Sequence, residues 1–294
     1  QEGKLGEGGV AYDPYNQAPV EGRILSLVVD GSRVKEASAG DRVEVLLPAT
    51  GFYIESGGQV SDTGVIRSAE RDSSGEATWE IDVVDLRRPS AGAIVHTGEV
   101  VFGHPETGDK AVAIVDHLRR HDIMRNHTAT HLLHAALHKV LGETARQAGS
   151  LVADDRLRFD FNHPDALTSE QLERVEELVN QAIAADYSVS PTIQNRETAI
   201  AAGAMALFGE KYGERVRTIA IGHGQDDPAT AGQSYELCGG THLDRTSDVG
   251  IFLILNEGSV AAGIRRIEAV TGRGAYQHVA QRSKVMQNMA VALK

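Results

Sequence analysis

Two short histidine-bearing motifs, far apart in the chain, constrain its fold more than any other feature: His127-Thr128-Ala129-Thr130-His131 and Cys238-Gly239-Gly240-Thr241-His242, the second holding the only cysteine. The first pair lies in an apolar-periodic segment running to Leu141, so its four-residue spacing puts both imidazoles on one helical face, about 5–6 Å apart at Cβ. The second pair brackets two glycines, whose freedom at positive φ lets a tight turn aim a thiolate and an imidazole at one point. Two histidines from a helix with a cysteine and a histidine from a turn make a zinc-type set for one ion. Any fold that uses them must bring that helix and that turn together. A catalytic zinc often keeps three protein ligands and one open position, so how many of the four bind stays open. His134 and His138 continue the same face, but a ligand there requires the metal to shift by a helical turn; outer or surface roles suit them.

Other readings of these residues fail on their neighbours. Thr128 stands where a zincin helix requires its general-base glutamate. No Pro-Cys-x-x-Cys accompanies a His-x-Glu, which excludes the zinc deaminases. Cys238 as a hydrolytic nucleophile is the weaker alternative, because a thiolate within a four-ligand group is better explained as ligated. Gly6-Glu7-Gly8-Gly9 lacks the Lys-Ser/Thr of a phosphate loop and the strand-then-helix setting of a dinucleotide fingerprint.

The 294 residues correspond to about two domains, and a hydrophobic content of 41% suffices for real cores. The longest apolar runs, such as Ile251 to Leu255, are far too short to cross a bilayer, and no basic-apolar-small leader opens the chain. A lone cysteine agrees with a reducing compartment, and the expected location is the cytoplasm, with no membrane partner. The first residue is Gln, which fits a piece of a longer protein. The net charge of −12 has the wrong sign for nucleic-acid binding by a global positive field. Arginines do cluster, at Arg119, Arg120 and Arg125, at Arg156 and Arg158, and at Arg265, Arg266 and Arg273. They form either a local basic rim or ion pairs with the many carboxylates.

Residues 1–20 carry glycine-rich stretches and no sustained periodicity, and read as a linker or arm. Over 21–115 the apolar segments are short and rich in Val and Ile (Ile24–Val29, Val43–Leu47, Trp79–Leu86, Ile94–Val101, Ala111–Val115), which predicts a small antiparallel β-barrel. Gly57 and Gly58 read as a turn of that barrel. At Asp116, an N-cap, the pattern becomes helical and continues to Gly142, a C-cap; Leu133, Leu137, Val140 and Leu141 form its apolar side. The core at 116–272 adds a strand at Leu157–Phe161, a helix opened by a Thr168/Gln171 capping box, a helix over Glu197–Leu207, and strands at Val216–Ile221, Ile251–Leu255 and Ile264–Val270. This is an α+β class, a small barrel followed by a two-layer core with the zinc site. Gly222–Ser234 reads as a polar surface insertion, and 273–294 as the start of a helical segment.

The His-x-x-x-His and Cys-x-x-x-His pair resembles the signature of alanyl-tRNA synthetase editing domains and their free-standing deacylase relatives, and more distantly of threonyl-tRNA synthetase. Phe52 to Val60, Gly149 to Val152, Leu157 to Phe161, Gly203 to Tyr212 and Ala261 to Gly272 are similar in wording to the bacterial enzymes, so the resemblance runs from about residue 20 to 272. It implies one Zn2+ held by His127, His131, Cys238 and His242, and hydrolysis of serine or glycine wrongly esterified to tRNA for alanine, with the remaining synthetase domains as partners. No ATP site is visible, so aminoacylation is not expected of this stretch. The alternatives are a natural free-standing deacylase and a tRNA-docking module in which zinc is structural. By the same resemblance Thr130 is the candidate for reading the serine hydroxyl, against a helix threonine bonding its own backbone. Gln147 matches a position beside the editing pocket, against a solvated loop residue, and the family places its glycine-rich motif near the site. Lys211, Arg265 and Arg158 are candidates for tRNA or substrate contacts; Arg158 shares a strand face with Asp160 and can instead form an internal ion pair.

Overall fold

The computed structural model describes Leu5 and residues 8–206, 212–222 and 233–293. These form two compact units. The first takes the described residues through Glu55 together with Val60–Arg120, and the second takes Ser56–Gln59 together with those from His121 on. The division thus falls inside the long helix rather than at Asp116, and four residues near Gly57 leave the first unit for the second.

The first unit is built from β1 (Ala11–Tyr12), β2 (Val20–Arg23), β3 (Ser26–Val29), β4 (Ser32–Val34), β5 (Arg42–Leu46), β6 (Ala49–Thr50), β7 (Gly64–Ser68), β8 (Glu80–Ser90), β9 (Ala93–Phe102) and β10 (Lys110–Val115). Eight of them make one sheet in the order β2-β10-β7-β8-β9-β5-β3-β4, antiparallel throughout. Between β2 and β3 the Ile24 N–H donates to Asp109 O at 3.0 Å and the next N–H, of Leu25, to Leu46 O at 2.8 Å. One bent segment therefore serves both sides of the sheet, which curls as a half-barrel. Period-two alternation puts Val43, Val45, Ile81, Val83, Ala111 and Ala113 inside. The region read as a loose arm is partly built in, since Val10 packs in this core and β1 pairs in parallel with β6.

Arg120 and His96 are among the buried polar side chains of this unit. Arg120 (2% exposed) donates to Asp62 and to the carbonyls of Pro14 and Gly51, so its charge is paired and its fork satisfied. His96 has Nε2 2.8 Å from Thr50 Oγ1 and Nδ1 3.3 Å from Val45 O, with the Phe52 ring edge-on.

The second unit contains α1 (His117–Leu141, shared with the first), β11 (Gln147–Val152), β12 (Leu157–Asn162), α2 (Ser169–Ala184), β13 (Val189–Asn195), α3 (Arg196–Ala201), β14 (Arg215–Ile221), β15 (Ser234–Leu237), β16 (Phe252–Ala261), β17 (Ile264–Thr271) and α4 (Gly272–Ala292). Asp116 Oδ1 caps α1 by accepting from the N–H groups of Leu118 and Arg119 at 3.0 Å each, and Gly142 ends it at φ 90°. Thr168 and Gln171 form the reciprocal capping box of α2. The strands do not make one layer: β11-β12-β17-β16 and β13-β14-β15 are separate antiparallel sheets. Leu133 and Leu137 of α1, Val175 and Val179 of α2, Phe159 and Ile267 of the larger sheet and Ile219 of the smaller share one core. The third helix has six residues instead of eleven, because Gly203 turns the chain at φ 91°. On α4 only Ala275 is buried.

Burial pushes the His96 pKa down to about 4, against a weaker opposing contact with the Val45 backbone. Unfolded histidine titrates near 6.5, so the unfolded chain takes up the proton first as pH falls, and stability is lost between about 6.5 and 4. The full effect is about 3 kcal/mol. In urea melts between pH 7 and 4, the His96→Gln variant is expected to lose less stability than the parent by about that amount.

Candidate metal centre

One ring nitrogen from each of His127, His131 and His242 and the Sγ of Cys238 lie within 4.8 Å of one another, a group able to hold a metal ion. The helix brings His127 and His131 together with rings parallel and centroids 5.6 Å apart. The turn after β15 brings the other two: Cys238 Sγ is 3.4 Å from His127 Nε2 and 3.3 Å from His242 Nε2. Neither glycine of this turn takes positive φ. Gly240 is needed for close approach instead, since a Cβ there would lie 2.0 Å from His127 Cε1.

Each imidazole has a different oxygen behind it. Gln59 Oε1 is 2.7 Å from His127 Nδ1 and also accepts the Thr241 N–H at 2.9 Å, while Gln59 Nε2 donates to Thr241 Oγ1 at 2.9 Å. Thr128 Oγ1 lies 3.3 Å from His242 Nδ1 and accepts the Leu243 N–H. Glu236 Oε2 lies 3.1 Å from His131 Nδ1, a charge contact rather than an aligned hydrogen bond. His131 Nε2 is buried with no hydrogen-bond partner, as a nitrogen reserved for a ligand would be. With every Nδ1 facing an oxygen, the Nε2 atoms of His127 and His242 are turned to the sulfur, and the oxygens form the usual outer layer of a histidine metal site.

The electrostatics agree with a ligating group. Burial raises the Cys238 thiol, but the adjacent His127 and His242 outweigh it and hold the pKa well below its ordinary value. His242 is pushed down to about 3, by burial first and His127 second. For His131 burial is outweighed by Glu236, and the pKa rises to about 10.

Sequence reasoning gave no supporting role to Gln59, Thr128 or Glu236, although Gln59 lies in the glycine-rich stretch that the resemblance places near the site, Thr128 stands inside the first histidine motif, and Glu236 is in β15 two residues before Cys238. Gly57 and Gly58 do form a tight turn, with Ser56 and Gln59 bonded to each other across it, but the turn groups with the second unit rather than with the barrel. Both take positive φ, and a Cβ on Gly58 would lie 2.3 Å from Ser150 Oγ, so the pair lets Gln59 reach the histidines. The histidine side of α1 is buried too: His134 is 3% exposed and meets Glu236 Oε1 at 3.1 Å.

Of the remaining candidates, Thr130 is buried and its hydroxyl donates to Asn126 O at 2.8 Å. Gln147 donates to Ser150 Oγ at 3.0 Å and lines a cavity of about 650 Å3 with His134, His138 and Met205. Arg265 is committed to Glu257 by two bonds of 2.6 and 2.8 Å. Asp160 takes a two-pronged contact from Arg266, with Arg158 only within 3.7 Å. Arg119, Arg125, Arg156 and Arg273 also have oxygen partners, so the expected basic rim is largely ion-paired. Lys211 and most of the 222–234 segment lie outside the described residues.

Residues 10–119 match the family of class II (A) tRNA synthetases, and residues 216–268, which include the cysteine motif, match the second additional domain of threonyl and alanyl tRNA synthetases. Both matches lie in the class II tRNA synthetases, to which these two stretches of the chain are similar. The relatives narrow this further. The chain is 44% identical to the alanine–tRNA ligase of Rhizobium johnstonii over 98% of its length, 45% to that of Chloroflexus aurantiacus over 96%, and 49% to that of a Roseiflexus species over 95%. It is homologous to alanine–tRNA ligases along nearly all of its length, and it spans about a third of theirs (32, 31 and 31%). Among the described residues no helix is long and apolar enough to cross a membrane.

Two predictions follow from this geometry. With the His131 pKa raised to about 10, metal entry at neutral pH must displace a proton from that imidazole, so affinity rises with pH, by about tenfold per unit for one proton. Calorimetry in buffers of different ionisation enthalpy should read that proton. Replacing Gln59 with Leu, which removes the acceptor behind His127, should weaken metal binding about 10–100-fold in competition with a chelator.

Proposed function

We propose that this chain is a zinc-dependent hydrolase of aminoacyl esters on tRNA, removing serine or glycine from the 3′ ribose of tRNA for alanine. The observation that carries this is the convergence of three imidazoles and one thiolate in a homologue of alanine–tRNA ligases. The donor set suits zinc, a borderline ion that takes nitrogen and sulfur ligands. When bound, zinc would supply Lewis acidity toward an ester carbonyl or a water. The chemical need is general: a pocket sized for alanine discriminates weakly against one methyl less or one hydroxyl more.

The chain's own residues then take distinct parts. Thr130 has spent its hydroxyl proton on Asn126 O, so its oxygen is left as an acceptor for the hydroxyl of a seryl group, which an alanyl group lacks. Gln147 holds substrate or water at the cavity wall. Arg158 is the better candidate for a tRNA contact, because Arg265 is already neutralised by Glu257. The reading includes a cytoplasmic location and action beside the other domains of a synthetase.

Four protein ligands can also close a zinc site, which favours the rival reading of a structural ion in a tRNA-docking module. Release of serine from seryl-tRNA for alanine, with alanyl-tRNA as control and zinc assayed in the same sample, separates the two. Preferential seryl release is expected, and Thr130→Val should narrow the preference about tenfold, the worth of one hydrogen bond. A folded, zinc-loaded chain that releases nothing would reject the hydrolase.

A further inference from the structure

The long helix carries a second histidine pair that the first metal centre does not use. His134 and His138 stand one turn apart on α1, the spacing at which two imidazoles can reach one ion, with ring centroids 4.5 Å apart and edges turned to faces. Nε2 of each is shielded from solvent and has no hydrogen-bond partner. A buried donor or acceptor left unpaired is normally costly, and here two occur side by side. Both residues line the cavity of about 650 Å3, together with Glu143 and Gln147.

The pair is also set up as ligands are. His134 Nδ1 faces Glu236 Oε1 at 3.1 Å, so the carboxylate takes Nδ1–H and leaves the lone pair on Nε2, the tautomer that histidine ligands adopt. Glu236 thus backs one histidine of each pair, His131 through Oε2 and His134 through Oε1.

We infer that His134 and His138 form a second site for a borderline divalent ion of the Zn2+ class, held by two imidazoles, with its remaining positions open to the cavity. Two protein ligands make it weaker than the four-ligand group. The inference is independent of the hydrolase reading, because it concerns binding alone.

Equilibrium dialysis of the whole chain against Zn2+ tests it, with Co2+ spectra alongside. Two classes of site are expected, and only the tighter one should give a thiolate-to-cobalt charge-transfer band. His138→Gln, at a half-buried position, should weaken the second class at least tenfold and leave the thiolate band intact. Cys238→Ala should abolish the band and keep the second class. A single class of site in the parent chain would overturn the inference, as would a second class of unchanged affinity in a folded His138→Gln chain.

Discussion

Three buried imidazoles can serve one ion only if each turns an unprotonated ring nitrogen toward it, and in this chain that depends on three oxygens behind them. Gln59, Thr128 and Glu236 face the Nδ1 atoms of His127, His242 and His131, and so turn all three Nε2 atoms inward. Much local structure follows from placing those oxygens. Gly57 and Gly58 turn the chain at Ser56–Gln59 so that Gln59 reaches His127, Gly240 makes room for the His127 ring, and β15 carries Glu236 two residues before Cys238. The same carboxylate raises the His131 pKa.

The sequence made the ligand types legible because their spacing is set by helix and turn geometry, which repeats across unrelated proteins. The caps of α1, the capping box of α2 and the β-rich first unit were legible for similar local reasons. Gln59, Thr128 and Glu236 were not: an amide, a hydroxyl and a carboxylate have no characteristic spacing when they act on groups 68, 114 and about a hundred residues away. β13 and β15 escaped notice because their sequences, Val-Ser-Pro-Thr-Ile-Gln-Asn and Ser-Tyr-Glu-Leu, lack clean alternation, and tertiary pairing with β14 makes them strands. The glycines of the cysteine turn were rightly noticed for a different reason than the one that operates.

Charge is where the sequence was most ambiguous. Eight arginines in three clusters are compatible with a basic rim or with local neutralisation, and only coordinates decide between them. Buried Arg120 closes on Asp62, Arg265 on Glu257 and Arg266 on Asp160, each with fork geometry suited to a carboxylate. In an acidic chain such pairs consume the positive charge that long-range attraction of a polyanion would need.

The bent segment at Ile24–Leu25 and the centre at His127 share a property that shapes how the chain acquires its structure. Each joins parts of the polypeptide remote in sequence: Gln59 to Thr241 spans 182 residues, and Cys238 to His127 spans 111. Contacts of this kind form late, because loop closure must precede any gain from them. On a ribosome the helix bearing His127 and His131 emerges long before the turn that completes their set. Through that interval the two imidazoles have neither thiol nor third histidine, and the group able to hold a metal is complete only once synthesis has passed His242.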